Sequence, residues 1–295
     1  MTSRLETGRH SRPSPESPMT LSIWQVDAFA TRVFHGNPAA IVPLQSWLPD
    51  HTMQAIAQEN NLAETAFFVR RGNSDYELRW FTPSMEVPMC GHATLASGWV
   101  IFSELAPEIE VIRFSAKCGT LTVERSIDDC HRMGLPAGKS VSFDAPPGFG
   151  AALAESVSAP PPEELHVAAT GAGGTRGIIA VWSESAVRDL QPSGSLATLL
   201  ASVNAGGLLA TSRCESRDYD FVSRFFAPGM GVPEDPVTGS MHASLAPFWA
   251  ARLGKAELHA FQASARGGEL RCTVDQARVV LSGPCALYLR GEINL

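Results

Sequence analysis

The chain has 295 residues, of which 44% are hydrophobic and 18% charged, a balance that supports a soluble globular core and enough length for two domains. A net charge of −7 argues against the basic face of a nucleic-acid binder, yet it leaves room for a small anion, because a few donors inside a cleft outweigh the global field. No segment is apolar for long enough to span a bilayer, and the six cysteines form no C-x-x-C pair or other zinc pattern, so neither a membrane nor a metal partner is expected and a cytoplasmic protein with reduced thiols is the simplest reading.

Met1 to Thr20 is rich in Ser, Pro, Arg and Glu, has no secretory apolar core, and reads as a flexible leader, with Met19 as an alternative start. Ser22 to Phe29 and Ala39 to Leu44 are short runs of strand formers joined by the turn-forming His35-Gly36-Asn37-Pro38. Asp50, after Pro49, is the expected N-cap of a helix running to Gln58, with Met53, Ile56 and Ala57 on one face. Glu64 to Val69 and Tyr76 to Phe81 read as strands, and Ala93 to Phe102 reads as a helix apart from Gly98. Arg132 to Ala137 is the expected crossover, and Ser140 to Glu164, with its Pro and Gly, is expected to hold exposed connections. Gly177 to Trp182, Gly207 to Ser212 and Tyr219 to Phe226 read as strands, Ser195 to Ser202 as a helix, and a further helix starts near Ser240.

The order of elements repeats because the sequence does. Arg79-Trp80-Phe81-Thr82-Pro83-Ser84-Met85-Glu86-Val87-Pro88 matches Arg224-Phe225-Phe226-Ala227-Pro228-Gly229-Met230-Gly231-Val232-Pro233 at six of ten positions, at an offset of 145 (224 − 79). His92-Ala93-Thr94-Leu95-Ala96 then matches His242-Ala243-Ser244-Leu245-Ala246 at an offset of 150 (242 − 92), so the second copy has about five extra residues in its loop. Upstream, Asn61 falls opposite Asn204 and Glu64 opposite Gly207, both at an offset of 143. A repeat this long is domain-sized rather than a solenoid unit, and strands followed by a helix in each copy point to an α/β fold with two similar lobes.

Each copy ends in a Pro-containing loop that leads into a helix, Pro88-Met89-Cys90-Gly91-His92 in the first and Pro233-Glu234-Asp235-Pro236-Val237-Thr238-Gly239-Ser240 in the second. The first turn of a helix has unpaired N–H groups and a partial positive charge, so two such ends facing across a cleft can clamp a carboxylate without Arg or Lys. Cys90, His92 and Asp235 bring ionisable groups to the same loops, and Glu64 stands among the apolar residues of Leu62-Ala63-Glu64-Thr65-Ala66-Phe67-Phe68. A carboxyl in apolar surroundings has its pKa moved toward neutrality, which suits a group that must both take and give a proton. Only the first copy has this acid. At each of these positions a structural role is the alternative: a helix cap for Gly91 and Gly239, a packed thiol for Cys90, and a solvated strand-entry residue for Glu64.

Several segments resemble the phenazine-biosynthesis (PhzF-like) family, whose scaffold is that of diaminopimelate epimerase. They are Val26-Asp27-Ala28-Phe29 with Gly36-Asn37-Pro38-Ala39-Ala40, Glu64-Thr65-Ala66-Phe67, Phe81-Thr82-Pro83, Cys90-Gly91-His92-Ala93-Thr94 and Glu234-Asp235-Pro236-Val237-Thr238-Gly239-Ser240. Ser264-Ala265-Arg266-Gly267-Gly268-Glu269-Leu270 is similar to the branch that includes the eukaryotic phenazine-biosynthesis-like-domain proteins. The resemblance implies an α/β (α+β) fold of two pseudo-symmetric lobes, each a mixed sheet around a central helix, with the active site in the cleft between them. The boundaries that follow are a leader over 1–20, lobes over 21–131 and 132–281, and a C-terminal strand over 282–295 that returns to the N-terminal lobe.

For function, the resemblance implies a cofactor-free isomerase in which Glu64 shuttles a proton between carbons of a small anionic substrate. His92 and Asp235 would position or polarise that substrate, and Asn37, Cys90, Gly91, Gly239 and Ser240 would bind it. No metal or organic cofactor is implied, and a homodimer, common in such folds, is expected. The departure is Cys90: diaminopimelate epimerase uses one cysteine from each half, whereas the second loop here has Asp235 and no cysteine nearby. The alternatives are an amino-acid epimerase or racemase using Cys90, and a binding or interaction protein that keeps the scaffold without turnover.

Overall fold

The computed structural model describes residues 19–126, 129–170, 175–216 and 218–295, so that most of the expected leader lies outside the described residues. The first half contains β1 (Thr20–Ala28), β2 (Asn37–Leu44), α1 (Asp50–Asn60), β3 (Glu64–Arg70), β4 (Asp75–Phe81), β5 (Glu86–Val87), α2 (Gly91–Val100), β6 (Val111–Ala116), β7 (Gly119–Glu124) and β8 (His131–Pro136). A short π-helical turn, Ile101–Leu105, extends α2. The second half contains β9 (Ser140–Ser142), α3 (Phe149–Ser156), β10 (Glu164–Thr170), β11 (Thr175–Val181), α4 (Glu184–Asp189), α5 (Ser195–Ser202), β12 (Gly207–Arg213), β13 (Phe221–Ala227), β14 (Val232–Asp235), α6 (Gly239–Leu253), β15 (Glu257–Gln262), β16 (Gly268–Asp275), β17 (Arg278–Gly283) and β18 (Cys285–Asn294).

The pairing of these strands carries the sequence repeat into space. One lobe runs β18–β1–β2–β3–β4–β6–β7–β8, with β2–β3 and β4–β6 parallel and the other pairs antiparallel. The other runs β9–β10–β11–β12–β13–β15–β16–β17, with β11–β12 and β13–β15 parallel at the same places. The lobes meet where β8 pairs antiparallel with β17, Gly134 opposite Val280. The segment expected as a crossover is therefore a strand at the seam. Each sheet wraps one central helix, α2 or α6, both apolar nearly all round and buried on nearly every face, and their surroundings fuse into one core.

Strand β3 shows why the central strands read as continuous apolar runs. Ala66 and Phe68 face the α2 core while Phe67 and Val69 face a second core under α1, so both faces are covered. In the other lobe α3 and α5 pack on the outer face with Phe149, Leu153, Leu196 and Leu200. This corrects the expectation of exposed connections over Ser140 to Glu164: the Pro and Gly there flank a helix that buries two large side chains. At α1 the cap is Pro49 rather than Asp50, which sits in the first turn and accepts a hydrogen bond from Arg79 Nη1 at 2.9 Å. Pro247 inside α6 cannot donate to Ala243, and the Gly138 N–H takes that carbonyl at 2.8 Å.

The repeated residues have repeated work. Asn61 and Asn204 both take left-handed conformations, φ 49° and 54°, where the chain leaves α1 and α5, a position that favours Asn. Arg79 forks onto Glu86 at 2.8 and 2.9 Å, and Arg224 onto Glu234 at 2.7 and 2.9 Å. The second fork is the deeper: Arg224 is 8% exposed and also donates to the carbonyls of Val187, Arg188 and Leu190. Replacing Arg224 by Ala strands a carboxylate and three carbonyls, so a loss of about 3–5 kcal/mol in urea unfolding is expected, against roughly half of that for Arg79→Ala. Equal losses would show that the carbonyl contacts add nothing.

Candidate active site

The N-termini of the two central helices meet between the lobes. A Cβ placed on Gly91 would lie 3.7 Å from the Gly239 Cα and 3.8 Å from the Ser240 nitrogen, within van der Waals contact, which is how near the two first turns approach. Helix geometry leaves the first N–H groups of each turn without an intrahelical acceptor, and both dipoles point their positive ends at the same space. Gly91, Gly239 and Ser240, expected from the sequence to bind, are thus brought together at one place.

Side chains from three more segments converge there, beside Cys90 and His92. Asn37, fully buried at the start of β2, has its amide nitrogen 2.7 Å from Asp235 Oδ1, 2.9 Å from the Val237 carbonyl oxygen and 3.1 Å from His92 Nδ1. Two oxygen acceptors identify that end of the amide as the nitrogen. His92 Nε2, on the far side of the ring, lies 3.2 Å from Glu64 Oε2. That approach is off-line for a hydrogen bond, and the buried Glu64 Oε2 has no protein hydrogen-bond partner among the described residues. Cys90 Sγ lies 3.5 Å from His92 Nδ1.

The electrostatics separate the roles of these groups. Burial, reinforced by the Glu64 carboxylate, pushes the Cys90 thiol up to about 11, so it is a thiol rather than a thiolate at neutral pH. Burial works against charge on His92, but the adjacent Glu64 carboxylate outweighs it and holds its pKa above the ordinary histidine value. Burial pushes the Asp235 carboxyl up to about 6; His92 opposes this and Glu64 adds to it. Glu64, Cys90 and His92 have ligating atoms within 4.8 Å of one another and could frame a cation. A metal there would have to displace a firmly held thiol proton, so the donor set suits proton transfer better than ligation.

Two supporting residues lie outside the set that the sequence assigns to the site. Gln262, 1% exposed at the end of β15, accepts from the Thr238 N–H at 2.8 Å and donates to the Asp235 carbonyl at 2.7 Å. Thr238 in turn donates its hydroxyl to Asp235 Oδ2 at 2.5 Å. Thr238 is also the N-cap of α6, as Cys90 is of α2, so the counterpart of Cys90 is a threonine and not Asp235 as the loop sequences suggested. Glu64 has no counterpart for a steric reason: at Gly207 a Cβ would fall 2.4 Å from the ring of Phe225.

A raised carboxyl pKa makes stability depend on pH in a defined direction. Asp235 binds its proton more tightly folded than unfolded, so its contribution is complete below about pH 4 and is lost as the pH rises through about 6. Asp235→Asn, which keeps a neutral group throughout, is expected to gain on the parent by about 2 kcal/mol between pH 4 and pH 7 in urea unfolding. Parallel pH curves for the two proteins would show that Asp235 titrates normally.

Residues 26–291 match the family described as phenazine biosynthesis-like protein. An uncharacterized isomerase of Pseudomonas aeruginosa is 46% identical over 277 residues, covering 94% of this chain and all of that protein. The human phenazine biosynthesis-like domain-containing protein is 37% identical over 299 residues, with the same coverage. The crystal structure of a PhzF-family phenazine biosynthesis protein from Enterococcus faecalis superposes with a TM-score of 0.84 at 36% identity, covering 94% of this chain and all of that one. Among the described residues, no helix is long and apolar enough to cross a membrane.

Proposed function

Since the chain belongs to the phenazine biosynthesis-like protein family, we propose that it is an isomerase that moves a proton between carbons of a small carboxylate-bearing substrate without a cofactor. The observation that carries this reading is Glu64 Oε2: buried, without a protein hydrogen bond, and 3.2 Å from a histidine. A carboxylate left in that condition needs a partner, and a proton on a substrate carbon supplies one. The first turns of α2 and α6 hold the substrate carboxylate, and the charge that develops on deprotonation falls toward the same N–H groups. His92 stands beside Glu64 to stabilise its ionised form, and Asp235, held by Asn37 and Thr238, orients the substrate from the other lobe.

The balance of the reaction is simple. Glu64 takes a proton from one carbon, the electron pair shifts through an adjacent double bond, and Glu64 or solvent returns a proton to another carbon. Epimerisation by a pair of thiols fits less well, because Cys90 holds its proton to about pH 11 and faces Thr238 across the pseudo-symmetry. A panel of small unsaturated carboxylates, incubated with the protein in deuterium oxide and read by mass spectrometry, tests the proposal. Incorporation of a single deuteron on conversion to an isomer is expected. Tight binding with no exchange in any compound would instead assign the scaffold to a binding protein.

A further inference from the structure

The duplication gives positions in one lobe a mate in the other, and along one side of α5 the mates differ in size. With Asn204 opposite Asn61, Ala197 and Ala201 of α5 stand where α1 has Gln54 and Gln58, and Ala205 stands where the first lobe has Leu62. In the turn before β14, Gly229 stands where the first lobe has Ser84. Gln54 bridges the gap in the first lobe, its amide donating to the Thr82 carbonyl at 2.8 Å. Alanine has nothing to bridge with. Helix α5 and the 3-10 turn Pro228–Met230 instead border a cavity of about 570 Å³, the size of an ordinary small-molecule site.

Among the described residues that line this cavity, Arg176 alone is charged and none is acidic. Its mate is a proline: Gly177 pairs with Gly207 as Ala39 pairs with Glu64, which sets Arg176 opposite Pro38. The Phe143 ring lies against the guanidinium, its centroid 5.2 Å from Cζ, and covers one face while leaving the edges to other partners. Arg176 Nε is buried without a hydrogen-bond partner among the described residues, a state that costs about 1–3 kcal/mol until an acceptor is supplied. Carbonyls on the same wall are engaged elsewhere. Those of Leu200 and Ala201 accept from the N–H groups of Val203, Asn204 and Ala205, and that of Arg176 accepts from the Gly206 N–H.

We propose that this cavity is a second ligand site, separate from the cleft between α2 and α6, and that it takes a small carboxylate with an apolar body. The carboxylate meets the edge of the Arg176 guanidinium, whose planar fork matches it. Asn204 carries the other polar side chain of the wall and is placed to orient the head group. A single cation suits a monoanion, since a phosphate dianion would keep half its charge uncompensated. The apolar body lies on Leu200, Ala201 and Met230, the last of which is 59% exposed at the rim. None of the cleft residues Asn37, Glu64, His92 and Asp235 lines this cavity, so the two sites are independent and the proposal does not rest on the reaction proposed above.

Methionine methyl resonances tell the sites apart in the unaltered full chain. Met230 reports the cavity, and Met133, whose methyl stands 3.3 Å from where a Cβ on Gly91 would be, reports the cleft. Benzoate, phenylacetate and hexanoate are the probes, and at least one should shift Met230 saturably with a Kd on the order of 1 mM. Benzamide, neutral and of the same shape as benzoate, should leave Met230 in place. Arg176→Gln should weaken the Met230 response about tenfold or more, the worth of a charged hydrogen bond, without altering that of Met133. Ala197→Gln, which restores the residue of the first lobe, should abolish the Met230 response by filling the cavity. Met230 unmoved by all three carboxylates, an equal response to benzamide, or an unchanged midpoint in folded Arg176→Gln would each overturn the proposal. Should Arg176→Gln fail to fold, Ala197→Gln and the benzamide comparison decide it, and undiminished binding in Ala197→Gln would place the ligand elsewhere.

Discussion

Replacing Glu64 by Gln is expected to lower solvent-deuterium incorporation into the substrate by about a hundred- to ten-thousand-fold while leaving binding nearly unchanged. The amide keeps the volume of the side chain at the head of β3, so the packing of Thr65, Ala66 and Phe67 behind it is undisturbed. It cannot accept the proton. The substrate carboxylate is assigned to the first turns of α2 and α6, which Glu64 does not build, and so the loss should fall on kcat and not on KM. A thermal shift produced by the same carboxylates in parent and variant checks binding separately from turnover. Loss of the Glu64 charge also removes one of the influences that raise the His92 pKa, so residual activity in the variant should follow a histidine titrating at lower pH than in the parent. Exchange at the parent rate in Glu64→Gln, together with its abolition in His92→Gln, would transfer the acid/base role to His92.

Much of this site could be read in the sequence because its parts are local. Glu64 announces itself as a carboxylate in an apolar run, and Cys90-Gly91-His92 and Thr238-Gly239-Ser240 are each the start of a helix. The duplication was equally open to reading, and the matching strand pairs in the two lobes follow from it. The hidden parts are those that depend on pairing across long separations. Nothing near Gln262 in the chain marks it as the residue that holds Asp235 and Thr238, 27 and 24 positions away. The absence of a second acid was legible as Gly207, but its cause, the ring of Phe225, belongs to a neighbouring strand. Helix α3 was missed because Pro and Gly in the flanking segments outweighed its short apolar stripe of Phe149 and Leu153.

Arg266 is the strongest case of a residue whose role only the fold reveals, and its removal should be costly. Its guanidinium donates to Asp27 Oδ1 at 2.8 Å, to the Gly36 carbonyl at 2.8 Å and to the His35 carbonyl at 3.0 Å, joining the 263–267 loop of one lobe to the β1–β2 turn of the other. Asp27 is 2% exposed and otherwise accepts from the Phe34 N–H at 2.8 Å, so without Arg266 a buried carboxylate loses its charged partner. The turn is held from the backbone as well, through the Gly36 N–H to the Gly267 carbonyl at 2.7 Å, with Gly36 at a φ of 65° where a Cβ would strike the Ala28 oxygen. Arg266→Met is therefore expected to lose about 3 kcal/mol, the lower part of the range for breaking a buried pair because the arginine side chain retains some exposure. Asp27→Asn combined with Arg266→Met should recover part of that loss, since no charge is then stranded; strict additivity in the cycle would mean the pair is not coupled. The turn ends at Asn37, which holds Asp235 and His92, so the effect should reach the chemistry. At concentrations of protein and denaturant where Arg266→Met is fully folded, deuterium incorporation should still fall, and Arg266→Lys, which restores the charge but not the fork onto the two carbonyls, should recover stability more than turnover. Full activity in the folded Arg266→Met protein would confine the clamp to stability and separate it from the site.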